Sequence, residues 1–65
     1  MAGAVIALGA NLGDARAALA GAIEALRETA GIRVISESSV YVTAPVGGVE
    51  QPDYVNAVVT VETSL

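Results

Sequence analysis

The sequence predicts an α+β fold in which one helix covers a small sheet, in the order strand, helix, strand, strand. Three observations predict it. Residues 15–30 are rich in Ala, Leu and Glu and place Leu19, Ile23, Leu26 and Ala30 at helical spacing. Residues 54–63 (YVNAVVTVET) alternate with period two, which is the pattern of a half-buried strand. Gly, Pro, Asn and Asp cluster between the periodic segments, where turns belong.

Ala4 to Leu8 is a short apolar run that fits a buried strand, although its length also admits the start of a helix. Gly9 to Gly13 reads as a loop, with Gly at both ends to permit positive φ. Asp14 is a good N-cap, because its carboxylate can accept from an orphan backbone N–H of the first turn. Ala15 and Ala22 widen the apolar stripe of the helix, and Gly31 is placed to stop it. Gly21 is out of place in mid-helix, and a close helix–sheet contact is the expected reason. Ile32 to Thr43 reads as one long strand with a bulge or bend at Ser38 and Ser39. Ala44 to Asp53 is a loop holding two prolines and the Gly47-Gly48 pair. In the last strand Val55, Ala57, Val59 and Val61 point one way, and Tyr54, Asn56, Val58, Thr60 and Glu62 the other. Ser64 is a natural N-cap with no helix behind it, which suggests a piece of a longer chain, a frayed terminus being the alternative. The β-α-β-β order is part of the split βαβ plan and leaves at least one sheet edge open.

Composition narrows the functional classes. The 65 residues make one domain at most, and 54% of them are hydrophobic, too many for disorder. Cys and His are absent, so disulfides and thiolate or imidazole metal sites are excluded. Lys is also absent, and three scattered arginines against a net charge of −4 make neither a nucleic-acid surface nor an anionic-membrane surface. The apolar runs are too short for a membrane span, no signal peptide is legible, and a cytoplasmic protein is the default reading.

Candidate chemistry is sparse. Without His, Cys or Lys, Ser-His triads, Cys nucleophiles and Schiff-base lysines are ruled out. No two of the seven acids stand two apart, so no strand can present an acid-x-acid pair to a magnesium ion. Glu24 and Glu28 share a helix face, which reads as solvated surface. Gly9 to Asp14 (GANLGD) lacks the third Gly of a dinucleotide loop and the Gly-Lys-Ser/Thr of a P-loop, and Asp14 would repel a phosphate. A tight strand-to-helix turn is the simpler reading, with Asn11 able to reach a ligand from it. Tyr54 and Asn56 share a strand face, where a ring to stack and an amide to read a polar edge suit a flat heterocycle. Thr43 can add a hydroxyl, and the backbone beside Ala44 and Val46 can add more polar groups. From spacing alone, a polar sheet face is the stronger reading of Tyr54 and Asn56.

Three segments carry a family resemblance. Val5 to Asp14 (VIALGANLGD) resembles the opening of the hydroxymethyl-dihydropterin pyrophosphokinases, whose turn often reads G-S-N-L-G-D, with Ala10 here in place of the Ser. Ser38 to Gly47 (SSVYVTAPVG) resembles their S-S-x-Y-x-T-x-P-x-G segment, and Gln51 to Val59 (QPDYVNAVV) their Q-P-D-[FY]-x-N-A-V-V segment. The resemblance covers essentially the whole chain, which would then be the N-terminal part, residues 1–65, of a single domain. It implies a ferredoxin-like α/β sandwich that transfers pyrophosphate from ATP to the hydroxymethyl group of a reduced pterin in folate biosynthesis. It implies a pterin stacked on Tyr54, bonded by Asn56, lined by Thr43 and the backbone near Ala44 and Val46, and rimmed by Gly9 and Asn11. The family's magnesium ligands, arginine-rich ATP segment and second pterin-stacking aromatic lie beyond the position of Leu65. ATP and Mg2+ therefore belong to the full-length enzyme. This chain is expected to hold no catalytic or metal-binding residue and to be inactive alone. The alternatives are a non-catalytic pterin-binding module and a homo-oligomer paired through open sheet edges.

Overall fold

In the computed structural model, which describes residues 1–47 and 50–65, one helix packs on a mixed-order antiparallel sheet. The elements are β1 (Ala2–Ala10), α1 (Ala15–Glu28), β2 (Ile32–Glu37), β3 (Tyr41–Thr43) and β4 (Tyr54–Thr63). β4 lies in the centre, antiparallel to β1 on one side and to β2 and β3 on the other. β1 and β2 are therefore parallel to each other, with the last strand inserted between them. Gly48 and Val49, within the loop expected over residues 44–53, lie outside the described residues. Among the described residues no helix is long and apolar enough to cross a membrane.

The core follows from the alternation of β4. Val55, Ala57, Val59 and Val61 are all buried, and Val59 is fully so. Leu19 of α1 joins Val55 and Ala57, and Leu8, Ala15 and Ile23 pack against them. β1 contributes Ile6, Leu8 and Ala10, which pair with Val59, Ala57 and Val55 and share their face. The other face of the sheet carries Tyr54, Asn56, Val58, Thr60 and Glu62, and α1 does not cover it.

Several local expectations are corrected. β1 is longer than residues 4–8 and includes Gly9 and Ala10, so the turn contains only residues 11–14. Gly13 has φ +62, whereas Gly9 sits in extended strand and needs no positive φ. Asp14 caps α1 by accepting from the Ala17 N–H at 3.1 Å. The helix stops at Glu28 because Thr29 turns extended and its hydroxyl donates back to the Ala25 carbonyl at 2.6 Å; Gly31, at φ +86, completes the reversal. Ala22 and Ala30, expected in the stripe, are exposed.

Gly21 is not a contact point, because a Cβ added there meets nothing within 4 Å. Gly21→Ala should therefore raise stability by about 1 kcal/mol through helix propensity alone. The urea midpoint checks this, and an unchanged or lower midpoint would mean that the helix needs the Gly.

The expected single strand over residues 32–43 is two. Its pairing with β4 slips first between Val34 and Ser36, leaving Ile35 as a bulge, and the strand then breaks over Ser38–Val40. Ser38 bridges the break: its N–H donates to the Val58 carbonyl, and its hydroxyl accepts from the Val58 N–H, both at 2.8 Å. From Val34 to Thr43 the edge advances nine residues while its partners run seven, from Val61 to Tyr54. Two extra residues restore the alternation that one alone would invert. Tyr41 and Thr43 thus arrive opposite Asn56 and Tyr54, on the face away from α1.

Candidate functional site

Polar and aromatic side chains gather at one end of the uncovered face. Asn56 is held by the neighbouring strand: its Nδ2 donates to Thr43 Oγ1 at 2.9 Å and to the Tyr41 carbonyl at 3.2 Å. A third, longer contact runs to the Tyr54 carbonyl at 3.4 Å. Both carbonyls can only accept, so the carboxamide atom that faces them is the NH2. Across the other edge of β4, Gly9 lies opposite Asn56. A Cβ on Gly9 would stand 3.0 Å from Asn56 Oδ1 and 3.8 Å from Tyr54 Cδ1. The absent side chain is what lets β1 lie beside these two groups.

The cluster joins four of the residues singled out from sequence: Gly9, Thr43, Tyr54 and Asn56. Asn11 sits apart on the β1–α1 turn. Its Nδ2 donates to Gln51 Oε1 at 2.9 Å and to the Pro52 carbonyl at 3.4 Å. It thereby ties that turn to the segment that enters β4. Ala44 and Val46 follow β3 on an exposed stretch, with Val46 96% exposed.

Two participants were not assigned roles from sequence. Tyr41 supplies a carbonyl to Asn56; it lies two residues from Thr43, and that spacing on a strand already places both on one face. Gln51 receives the Asn11 amide across forty residues of sequence, a pairing no local pattern signals.

A cavity of about 300 Å³ lies elsewhere, on the α1 side, lined by Leu19, Ala20, Ile23, Arg27, Glu37 and Ala57 among others. Arg27 and Glu37 form an ion pair at 3.4 Å, exposed at both ends and so worth little. Its polar lining is Glu24, Arg27, Glu37 and Ser38, and through Ala57 it lies on the face of β4 opposite to Asn56. Among the described residues no three His, Cys, Asp or Glu side chains could hold a metal ion together. The cations are Arg16, Arg27 and Arg33, two of them on the helix and one on β2, and none belongs to the Asn56 cluster.

A family model described as 7,8-dihydro-6-hydroxymethylpterin-pyrophosphokinase (HPPK) matches residues 5–65. Curated relatives bearing the name 2-amino-4-hydroxy-6-hydroxymethyldihydropteridine pyrophosphokinase agree with it. The protein from Methylorubrum extorquens is 47% identical over 62 residues, covering 95% of this chain and 39% of its own length. Those from Haemophilus influenzae and Bacillus subtilis are each 42% identical over 62 residues, again 95% of this chain, with 39% and 37% of their own lengths covered. The chain thus spans under two fifths of the length of these relatives.

Proposed function

On the premise that this chain belongs to the 7,8-dihydro-6-hydroxymethylpterin-pyrophosphokinase family, we propose that it supplies the pterin-binding side of that enzyme. The pterin stacks on Tyr54, and its polar edge meets Asn56 with Thr43, Gly9 and the backbone of Ala44 and Val46 around it. Asn11 acts at the rim. The observation that carries this reading is the hydrogen-bonded cluster of Asn56, Thr43 and Tyr54 beside side-chain-free Gly9. A rigid amide next to an aromatic ring on an open sheet face suits a flat heterocycle.

In the whole enzyme's reaction the hydroxymethyl oxygen of the pterin attacks the β-phosphorus of ATP. The bond from that phosphorus to the oxygen shared with the α-phosphate breaks, AMP leaves, and the hydroxyl proton is released. A magnesium ion with the nucleotide would neutralise the charge that develops. The described residues do not fit that task, since among them there is neither a carboxylate cluster nor a group of cations. The chain binds pterin and is inactive alone, and the remaining polypeptide supplies the nucleotide side. The strand inserted between parallel β1 and β2 supports a ferredoxin-like plan for the whole domain. A cytoplasmic location accords with the folate-pathway role.

β1 favours a second reading. It is a nine-residue edge strand with no charge, no Pro and Val5 71% exposed, features that invite pairing with another strand. A self-associating module without pterin affinity would use that edge.

An amide proton–nitrogen correlation spectrum of the chain, titrated with 6-hydroxymethylpterin, tests both. Shifts confined to Gly9, residues 41–46 and residues 54–56 are expected, with no AMP formed from ATP above a protein-free control. Concentration-dependent broadening without any pterin effect would support the second reading. AMP formation would overturn the claim of inactivity.

A further inference from the structure

The two edges of the sheet are built differently. The β2–β3 edge is interrupted by the bulge at Ile35 and the break over Ser38–Val40, and it carries Arg33 and Glu37. Bulges, breaks and charges are the devices that keep an edge from pairing with another strand. The β1 edge has none of them. It runs from Ala2 to Ala10 in unbroken register with β4, and it holds no charge and no Pro. Among the described residues β4 is its only neighbouring strand. The core face also ends unfinished along this edge. Ile6, Leu8 and Ala10 pair with the buried Val59, Ala57 and Val55, yet are themselves only half-buried.

We propose that β1 is a homodimer interface, pairing antiparallel with β1 of a second copy about a two-fold axis perpendicular to the sheet. This deepens the edge-pairing reading of β1 given above and rests on it, but not on any absence of pterin affinity. A second copy is the occupant because the strand is its own complement. Directly opposed residues of an antiparallel pair point to one face, and a two-fold axis through the sheet keeps each face on its own side. Even-numbered residues therefore meet even-numbered ones, and core face meets core face. The register centred on Ile6 uses the whole strand. Ile6 then meets Ile6 of the second copy, Ala4 meets Leu8, and Ala2 meets Ala10, which closes the half-buried rim and sets both helices on one side of a continuous sheet. On the other face Val5 meets Ala7, and Gly3 meets Gly9. No charge opposes another along the pair. Gly3 brings no side chain, so the Asn56 cluster beside Gly9 stays open in the dimer.

Sedimentation equilibrium of the chain should give twice the chain mass at high concentration and fall toward the monomer on dilution. Val5 and Ala7 are exposed on the face away from α1, so charges there leave the core intact, and circular dichroism checks that each variant folds. Val5→Lys combined with Ala7→Lys opposes two pairs of ammonium groups in this register and should weaken the dimer roughly thirtyfold. Val5→Lys combined with Ala7→Glu opposes ammonium to carboxylate at both places and should stay within about threefold of the parent. Amide hydrogen exchange of the parent gives a readout without variants. The β1 N–H groups that face away from β4 should gain protection as concentration rises, and those of β2 and β3 should not. A parent that stays monomeric at millimolar concentration would overturn the proposal and leave the pterin reading untouched. A like-charge variant as dimeric as the parent would place the interface elsewhere, and equal weakening of both variants would overturn the register. Should the like-charge variant not fold, the exchange pattern of the parent decides. A dimer that takes no 6-hydroxymethylpterin would uphold the interface and sink the pterin reading instead.

Discussion

Leu19→Ala should unfold most of the chain at room temperature. Leu19 is 3% exposed and is the buried side chain of α1, set against Val55 and Ala57 of the central strand. The neighbours that could close the gap are Leu8, Ala15 and Ile23, of which only Leu8 and Ile23 are large. Truncating a buried Leu costs about 2–5 kcal/mol, the transfer of the lost methyl groups plus the cavity left behind. A core of this size supplies roughly 3–5 kcal/mol in total. The loss therefore matches the whole stability, with no disulfide to offset it. Far-UV circular dichroism and urea titration read the outcome. Leu12→Ala is the matched control: the same truncation at a side chain 73% exposed should move stability by less than about 0.5 kcal/mol. If Leu19→Ala unfolded at the parent's urea midpoint, α1 would not be docked on β4, and the one-sided sheet described above would be wrong.

The contrast between those two leucines also shows what the sequence could reveal. Leu19 was placed in the core by its spacing from Ile23 and Leu26, and β4 by an alternation that runs without a break from Tyr54 to Glu62. Both are periodicities, and a period is a local property. What stayed hidden was partnership. Nothing in residues 54–63 says that this strand inserts between β1 and β2, because strand order is decided by which faces meet after the chain has folded. The break at Ser38–Val40 was foreseen as a bend, but not that Ser38 would take over both ladder bonds of Val58. The bulge at Ile35 left no sign, since a β-branched residue in a β-branched run looks like more strand. The site follows the same division. Tyr54 and Asn56 share a face by spacing. The meeting of Asn56 with Thr43 and of Asn11 with Gln51 depends on chain segments far apart in sequence. Gly9 was read as a turn residue for its backbone freedom, whereas the sheet uses its missing side chain.

That last point carries a sharp expectation: Gly9→Ala should weaken pterin binding far more than it lowers stability. The two effects separate because they have different causes. Gly9 lies in extended backbone within β1, so Ala is no strain there, and a Gly in a strand interior is itself mildly unfavourable. The new Cβ would nevertheless stand 3.0 Å from Asn56 Oδ1, closer than ordinary contact, and would fill the space through which that oxygen is reached. The carboxamide cannot swing aside freely, because doing so gives up its bonds to Thr43 and the Tyr41 carbonyl, each worth about 1 kcal/mol. With the carboxamide still held, the obstructed acceptor corresponds to roughly a ten- to hundredfold loss of affinity for 6-hydroxymethylpterin. Gly3→Ala is the internal comparison. Gly3 is on the same strand and the same face, opposite Glu62, and a Cβ there meets nothing within 4 Å. It should bind pterin as the parent does. Fluorescence titration with the pterin gives affinity and urea unfolding gives stability for both variants. Parent-like binding by Gly9→Ala would mean that the ligand does not approach Asn56 from the Gly9 side. A fall in stability equal to the fall in binding would mean that Gly9 serves packing alone.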